Sequence, residues 1–134
     1  MNTSSEIETM LAANVFAVFG VSRSHEKYGY QAYRTLKMEG KKVYPVNPLA
    51  ADIDGKLCYA NAEDLPKDVQ VAVLVTPPSA SEQIVPLCLA RGIKMIWLQP
   101  GADSPRVIAL CQEADAMLVA GGPCIMAIII EKDF

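Results

Sequence analysis

The sequence predicts an α/β fold: a doubly wound sheet of five parallel strands with helices on both faces, in the strand order 3-2-1-4-5. Three observations lead there. Five apolar runs of four to seven residues alternate with segments of helical period about eleven residues long, and short loops join them. The runs are apolar throughout rather than alternately, as suits strands covered on both sides. Each of the five ends at a glycine or a proline along one edge of the sheet.

Thr3-Ser4-Ser5-Glu6 has the spacing of a capping box, and Ile7, Met10 and Leu11 then share a face, which predicts a short leading helix to about Ala13 on the outside of the sheet. The first strand covers 14 to 20, and the loop after it, 21 to 27, carries Ser22, Arg23, Ser24, His25 and Lys27. Tyr28 to Glu39 reads as a helix with Ala32, Tyr33 and Leu36 inward, and Gly40 ends it. Val43-Tyr44-Pro45-Val46-Asn47-Pro48 is the second strand, whose prolines require it to be short or near an edge. From Ala50 to Ala60 the chain is looser, with a turn at Ile53-Asp54-Gly55-Lys56 that leads back into Leu57-Cys58-Tyr59 as a short extra strand. Glu63-Asp64-Leu65-Pro66 is a brief helical turn.

Val69 to Val75 is the third strand of the sheet, stopped by Thr76-Pro77-Pro78. Ser79 with Glu82 spells a second capping box for a helix from about Ala80 to Ala90, which buries Ile84, Val85, Leu87 and Cys88 and ends at Gly92. Pro86 fits that helix only in or just beyond its first turn. Lys94 to Leu98 is the fourth strand, followed by the loop Gln99-Pro100-Gly101-Ala102. Ser104-Pro105 is an N-cap followed by proline at the first helical position, opening a helix to about Ala114. Ala116 to Ala120 is the fifth strand, Gly121-Gly122-Pro123 turns the chain, and Cys124 to Ile130 closes it as an apolar tail. The result is a single Rossmann-like domain over residues 1–134.

The totals narrow the function. A chain of 134 residues is long enough for one good core and too short for a cofactor domain plus a substrate domain. With 51% hydrophobic and 20% charged residues it is compact rather than disordered. No apolar run reaches the ~18 residues of a membrane span, and the start, with Glu6 and Glu8, is not a signal peptide, so a cytoplasmic location is expected. A net charge of −3 argues against nucleic acid while leaving room for a small anion held locally. Cys58, Cys88, Cys111 and Cys124 form no CxxC pair and meet no histidine cluster, so neither a metal site nor a disulfide framework is indicated.

In such sheets ligands bind beyond the carboxyl ends of the strands. That edge collects Gly20 to Lys27, Pro45 to Pro48, Thr76 to Pro78, Gln99 to Gly101 and Gly121 to Cys124. Where the first strand hands over to a helix, backbone N–H groups and the positive helix end face an approaching phosphate; the alternative is that Gly20 only makes a tight turn. A dinucleotide is the obvious guess, yet two of its marks are missing. After Gly20 the next glycine is Gly29, so there is no G-x-G-x-x-G, and the second strand ends in Asn47-Pro48 rather than in a carboxylate for the ribose. Arg23 and Lys27 suit a ligand richer in phosphate, or else form a solvated face.

Gly20-Val21-Ser22, Glu26-Lys27-Tyr28-Gly29-Tyr30, Tyr44-Pro45-Val46-Asn47-Pro48, Val75-Thr76-Pro77-Pro78, Trp97-Leu98-Gln99-Pro100-Gly101 and Cys124-Ile125-Met126 together resemble the motifs of the small CoA-binding proteins. These are similar to the N-terminal CoA-binding domain of the succinyl-CoA synthetase α subunit. The resemblance implies that the loop of Gly20, Val21, Ser22 and Arg23 meets the phosphates of the nucleotide half of coenzyme A, with Lys27 sharing the phosphate charge and Tyr28 packing or lining the ligand. It implies further that Pro45, Asn47 and Pro48 border the nucleotide, and that Thr76, Pro77 and Pro78 wall the adenosine or pantetheine portion. Gln99, Pro100, Gly101 and Cys124 then lie farther along the same edge. Some members carry Asp-Arg where this chain has Gly122-Pro123, which leaves more of the phosphate charge to Arg23 and Lys27.

No reaction is legible. His25 is the one histidine, no Ser-His-Asp arrangement is suggested by position, and no carboxylate pair occupies the strand ends. The sequence therefore supports a module binding coenzyme A or an acyl-CoA, with a homo-oligomer left open. An NAD(P)-dependent enzyme, or a nucleotide-binding subunit of a larger acyl-CoA synthetase-like complex, is the alternative. Cys124 either faces the pantetheine thiol, where it could form a mixed disulfide, or packs under the sheet edge beside Ile125 and Met126.

Overall fold

A computed structural model describes residues 1–132. Its five-stranded parallel sheet contains β1 (Val15–Phe19), β2 (Lys42–Val46), β5 (Val71–Leu74), β6 (Met95–Leu98) and β7 (Met117–Val119). Two short strands, β3 (Asp52–Ile53) and β4 (Lys56–Leu57), form a separate antiparallel hairpin around the expected Asp54-Gly55 turn. The helices are α1 (Ser4–Ala12), α2 (Tyr28–Met38), α3 (Pro78–Ala90), α4 (Pro105–Glu113) and α5 (Ile125–Lys132), with a 3₁₀ turn at Ala62–Asp64.

The doubly wound parallel sheet is as expected, but its strand order needs correcting. The order is β2-β1-β5-β6-β7. Counted along the five sheet strands alone this reads 2-1-3-4-5 rather than 3-2-1-4-5, because the third of them pairs with the first, Phe16 against Val71 through Phe19 against Leu74. Pro45 supplies the physical reason. Lys42 N–H donates to Asn14 O and Gly20 N–H to Val46 O, so alternate residues of β2 face β1 and Pro45 faces away. A residue without an N–H suits a strand whose far side carries no ladder, so β2 is an edge. Among the described residues a single bridging residue, Tyr59, pairs with that side, donating its N–H to Pro45 O and accepting the Asn47 N–H, each at 2.9 Å.

Side chains alternate strictly between two cores. Phe16, Val18, Val71, Val73, Trp97 and Val119 point to the face covered by α1, α2 and α5. Ala17, Phe19, Ala72, Leu74, Ile96, Leu98 and Leu118 point to the face covered by α3 and α4. The winding reverses between β1 and β5, and that is where the carboxyl edge opens.

Three local expectations change. The apolar tail after Cys124 is helix α5, with Ile125 and Ile129 buried one turn apart. Ser79 and Glu82 form no capping box: α3 starts earlier, with Pro77 at its N-cap and Pro78 as its first residue, and Glu82 accepts the Ser104 hydroxyl at 2.9 Å instead. Pro86 stands well inside that helix, on its exposed side. Among the described residues no helix is long and apolar enough to cross a membrane.

Candidate functional site

Close backbone packing shapes the edge between β1 and β5. Gly20 sits at φ +92°, and a Cβ there would overlap the Val75 carbonyl; a Cβ at Gly29 would overlap the carbonyl of Gly20. The two glycines thus seat the first turn of α2 directly on the end of β1, and the end of β1 against that of β5. In the sequence Gly29 marks the missing fingerprint and belongs to the motif Glu26-Lys27-Tyr28-Gly29-Tyr30, and neither says that it seats the helix. Its position in the first turn of the helix was the available signal.

The loop after β1 is held from both sides. Asn47 donates from Nδ2 to Val21 O at 2.7 Å and accepts the Leu49 N–H at Oδ1, 2.9 Å, so its amide ties the second strand end to the loop. Ser22 Oγ accepts the Ser24 N–H at 2.9 Å. The hairpin grips the outer side: Arg23 pairs with the Asp52 carboxylate at 2.8 Å and donates from Nε to Asp52 O. Tyr30 donates its hydroxyl to Asp54 at 2.6 Å, His25 Nε2 lies 3.2 Å from the other oxygen of that carboxylate, and the two rings stack at 4.0 Å. The Tyr30 hydrogen bond, more than His25, holds the Asp54 carboxyl below the usual carboxylate range, and the same bond raises Tyr30. Asp52 and Asp54 were not among the sequence candidates.

Lys27 is exposed at the N-cap of α2, in extended conformation and with no side chain capping the helix. The first-turn N–H groups of that helix therefore have no side-chain acceptor, with Tyr28 exposed and Gly29 and Tyr30 buried behind it.

Two cavities of about 320 Å³ each open on either side of the β5 end. One lies under α3 and takes in Gly20, Pro48 and Thr76 of the sequence candidates, with Val46, Asn61 and Gln83 added. The other joins Tyr28, Gln99, Pro100 and Cys124, with Val75 and Met126 added. Neighbouring residues Val75 and Thr76 face different cavities, so the strand end is the divide between them. Tyr28 is 73% exposed, an aromatic ring left on the rim of its cavity.

The candidates do not all gather here. Val21 is fully buried behind the loop. Pro45 lines a concavity on the outer side of β2 with Tyr44 and Tyr59, away from the carboxyl edge. Pro77, Pro78 and Gly101 are exposed without lining either cavity. Gln99 is buried, and its amide is occupied by accepting the Ile125 N–H at 2.8 Å and contacting Cys124 Sγ at 3.5 Å. Cys124 thus stands between the end of β6 and the start of α5. Cys88 and Cys111 are buried inside α3 and α4, where burial pushes their thiols up to about 12 and about 11.

Comparison with known proteins identifies the family. Over 79 residues, 58% of this chain and 17% of the relative, the sequence is 34% identical to subunit alpha of ADP-forming acetate–CoA ligase II from Pyrococcus furiosus. The chain therefore spans less than a fifth of that relative. A conserved hypothetical protein from Pyrococcus furiosus superposes with a TM-score of 0.82 at 35% identity, over 87% of this chain and 99% of that one. A dinucleotide-forming acetyl-coenzyme A synthetase from Candidatus Korarchaeum cryptofilum aligns at 25% identity with a TM-score of 0.72, over 85% of this chain and 27% of the synthetase. Residues 14–129 match the family model described as a CoA binding domain, and the chain belongs to that family.

Proposed function

We propose that the chain binds coenzyme A or an acyl-CoA along the carboxyl edge of its sheet. The observation that carries the reading is the pair of cavities flanking an open helix N-terminus. Coenzyme A is a nucleotide and a pantetheine arm joined by a pyrophosphate, so a ligand of that shape has an end for each cavity and its charge in the middle. The cavity under α3 suits the adenine, the first turn of α2 with Arg23 and Lys27 suits the phosphates, and the cavity at Cys124 suits the thiol end. Arg23 is already oriented by Asp52 but remains 62% exposed on its side chain, so it can meet a phosphate without leaving that partner.

A nicotinamide dinucleotide fits less well. The second strand presents Asn47, whose amide is already bonded on both atoms, and offers no carboxylate to the ribose hydroxyls. Calorimetric titration with CoA and NAD(H) in parallel tests the reading: CoA binds and NAD(H) does not, and a tighter NAD(H) overturns it. The greater length of the acetate–CoA ligase and synthetase relatives favours a second reading, in which this domain serves as the nucleotide-binding part of a synthetase-like assembly. That reading requires CoA to bind the isolated chain while turnover appears only with a partner.

A further inference from the structure

We infer that Gln83, on α3, hydrogen-bonds the edge of the adenine ring and sets the base specificity of the site. This rests on the CoA reading and adds the residue that recognises the base. Phe19, Val46, Pro48, Ile84 and Leu87 wall the cavity under α3. Apolar groups of this kind attract any flat ring and distinguish poorly between rings.

Two carboxamides stand in that wall, Asn61 and Gln83. Asn61 Oδ1 already accepts the Asp64 N–H at 3.2 Å, which leaves only its NH₂ group. The neighbours of Gln83 on α3 are committed too, Ser81 to Thr76 and Pro77 O, Glu82 to Ser104. No described residue holds the Gln83 amide, which therefore keeps a donor and an acceptor side by side at the mouth of an apolar cavity. Adenine offers the matching pair, an exocyclic amino donor beside a ring-nitrogen acceptor. Once the ring excludes water from the cavity, a base that cannot answer leaves the amide unpaired, and discrimination follows from that unpaired group.

The test measures dissociation constants of the whole chain for three ligands. They are CoA; 1,N6-ethenoCoA, in which the amino group and N1 are closed into an added ring; and 4′-phosphopantetheine, which has no base. Wild type is expected to prefer CoA to the etheno compound by about tenfold. Gln83→Leu loses about that factor for CoA, binds the two nucleotides alike, and holds 4′-phosphopantetheine as wild type does. Gln83 is exposed and leucine is a good helix former, so the variant should fold. Gln83→Glu, which exchanges the donor for a second acceptor, loses the preference as well and gives the same readout if the leucine variant does not fold. An unchanged preference in these variants overturns the inference and leaves the CoA reading standing. Failure of wild type to bind CoA overturns the reading beneath it.

Discussion

Helices α2 and α4 each follow a strand of the sheet and begin at the same edge, yet their first turns are finished in opposite ways. Ser104 closes α4: its hydroxyl oxygen accepts the Val107 N–H at 3.2 Å and its hydrogen goes to Glu82. Pro105 at the first helical position removes one more donor that would otherwise need a partner. At α2 the N-cap is Lys27, which offers no acceptor, and the helix is seated instead by the close approach of Gly29 to Gly20. One position is completed for stability; its counterpart is left with unsatisfied donors beside a cation. The fold supplies both helix ends, and the capping residue decides which of them keeps first-turn donors without a side-chain partner.

Gly29→Ala strikes this comparison hardest. The new methyl overlaps the Gly20 carbonyl, so α2 must lift from the loop, at a cost of about 3 kcal/mol in urea unfolding. A change within about 0.5 kcal/mol would mean that the helix is not seated there. Arg23→Ala with Lys27→Ala comes next. Each charge-assisted contact is worth about 1.5 to 3 kcal/mol, roughly ten- to hundredfold in affinity, and the protein stays folded. Calorimetry with CoA and dephospho-CoA also shows whether either side chain meets the 3′-phosphate, since only then is the loss greater for CoA. Unchanged affinity returns both residues to the solvated face.

Capping sharpens the contrast from both ends. Ser104→Ala lowers stability by about 1 kcal/mol with CoA affinity unchanged, whereas Lys27→Asp gives α2 the missing cap, gains about 1 kcal/mol in thermal unfolding, and weakens CoA more than Lys27→Ala does. If Lys27→Asp binds CoA as wild type does, the open turn is not where the phosphates sit. The smallest effect concerns Cys124, at the start of α5. Incubation with CoA disulfide followed by intact-mass analysis should give one CoA adduct that is absent from Cys124→Ser; an adduct that persists in that variant leaves this cysteine a packing residue.

Much of this was legible in the sequence because it is local. Thr3 and Ser104 cap α1 and α4 as their spacing requires, and the strands and turns stand where apolar runs meet glycine and proline. Partner choice was not legible in the same way. The strand order depends on which strand lies beside β1, and the one local clue was that Pro45 belongs on an edge. Helix α5 hid because its first six residues are all apolar and two of its isoleucines are buried, so its run reads like a tail or a strand. The site divided along the same line. Loop residues such as Gly20, Thr76 and Cys124 announced themselves, while Gln83, Ile84 and Leu87 look like the ordinary surface and inner face of an amphipathic helix. Asp54 was visible in a turn and Asp52 not at all, and nothing in their spacing says that they hold Tyr30 and Arg23.

Pro45 also bears on behaviour in a crowded solution. An edge strand with a free row of donors and acceptors can template the addition of a strand from another molecule, and repeated addition leads to fibres. On β2 the row is interrupted where proline has no hydrogen to give, and the Pro45 oxygen is already taken by Tyr59. At the opposite margin Asn2 folds alongside β7, its backbone N–H on Leu118 O and its amide on both backbone groups of Ala120. With one margin interrupted and the other occupied, neither edge of the five-stranded sheet offers an unbroken row of donors and acceptors to a further strand among the described residues.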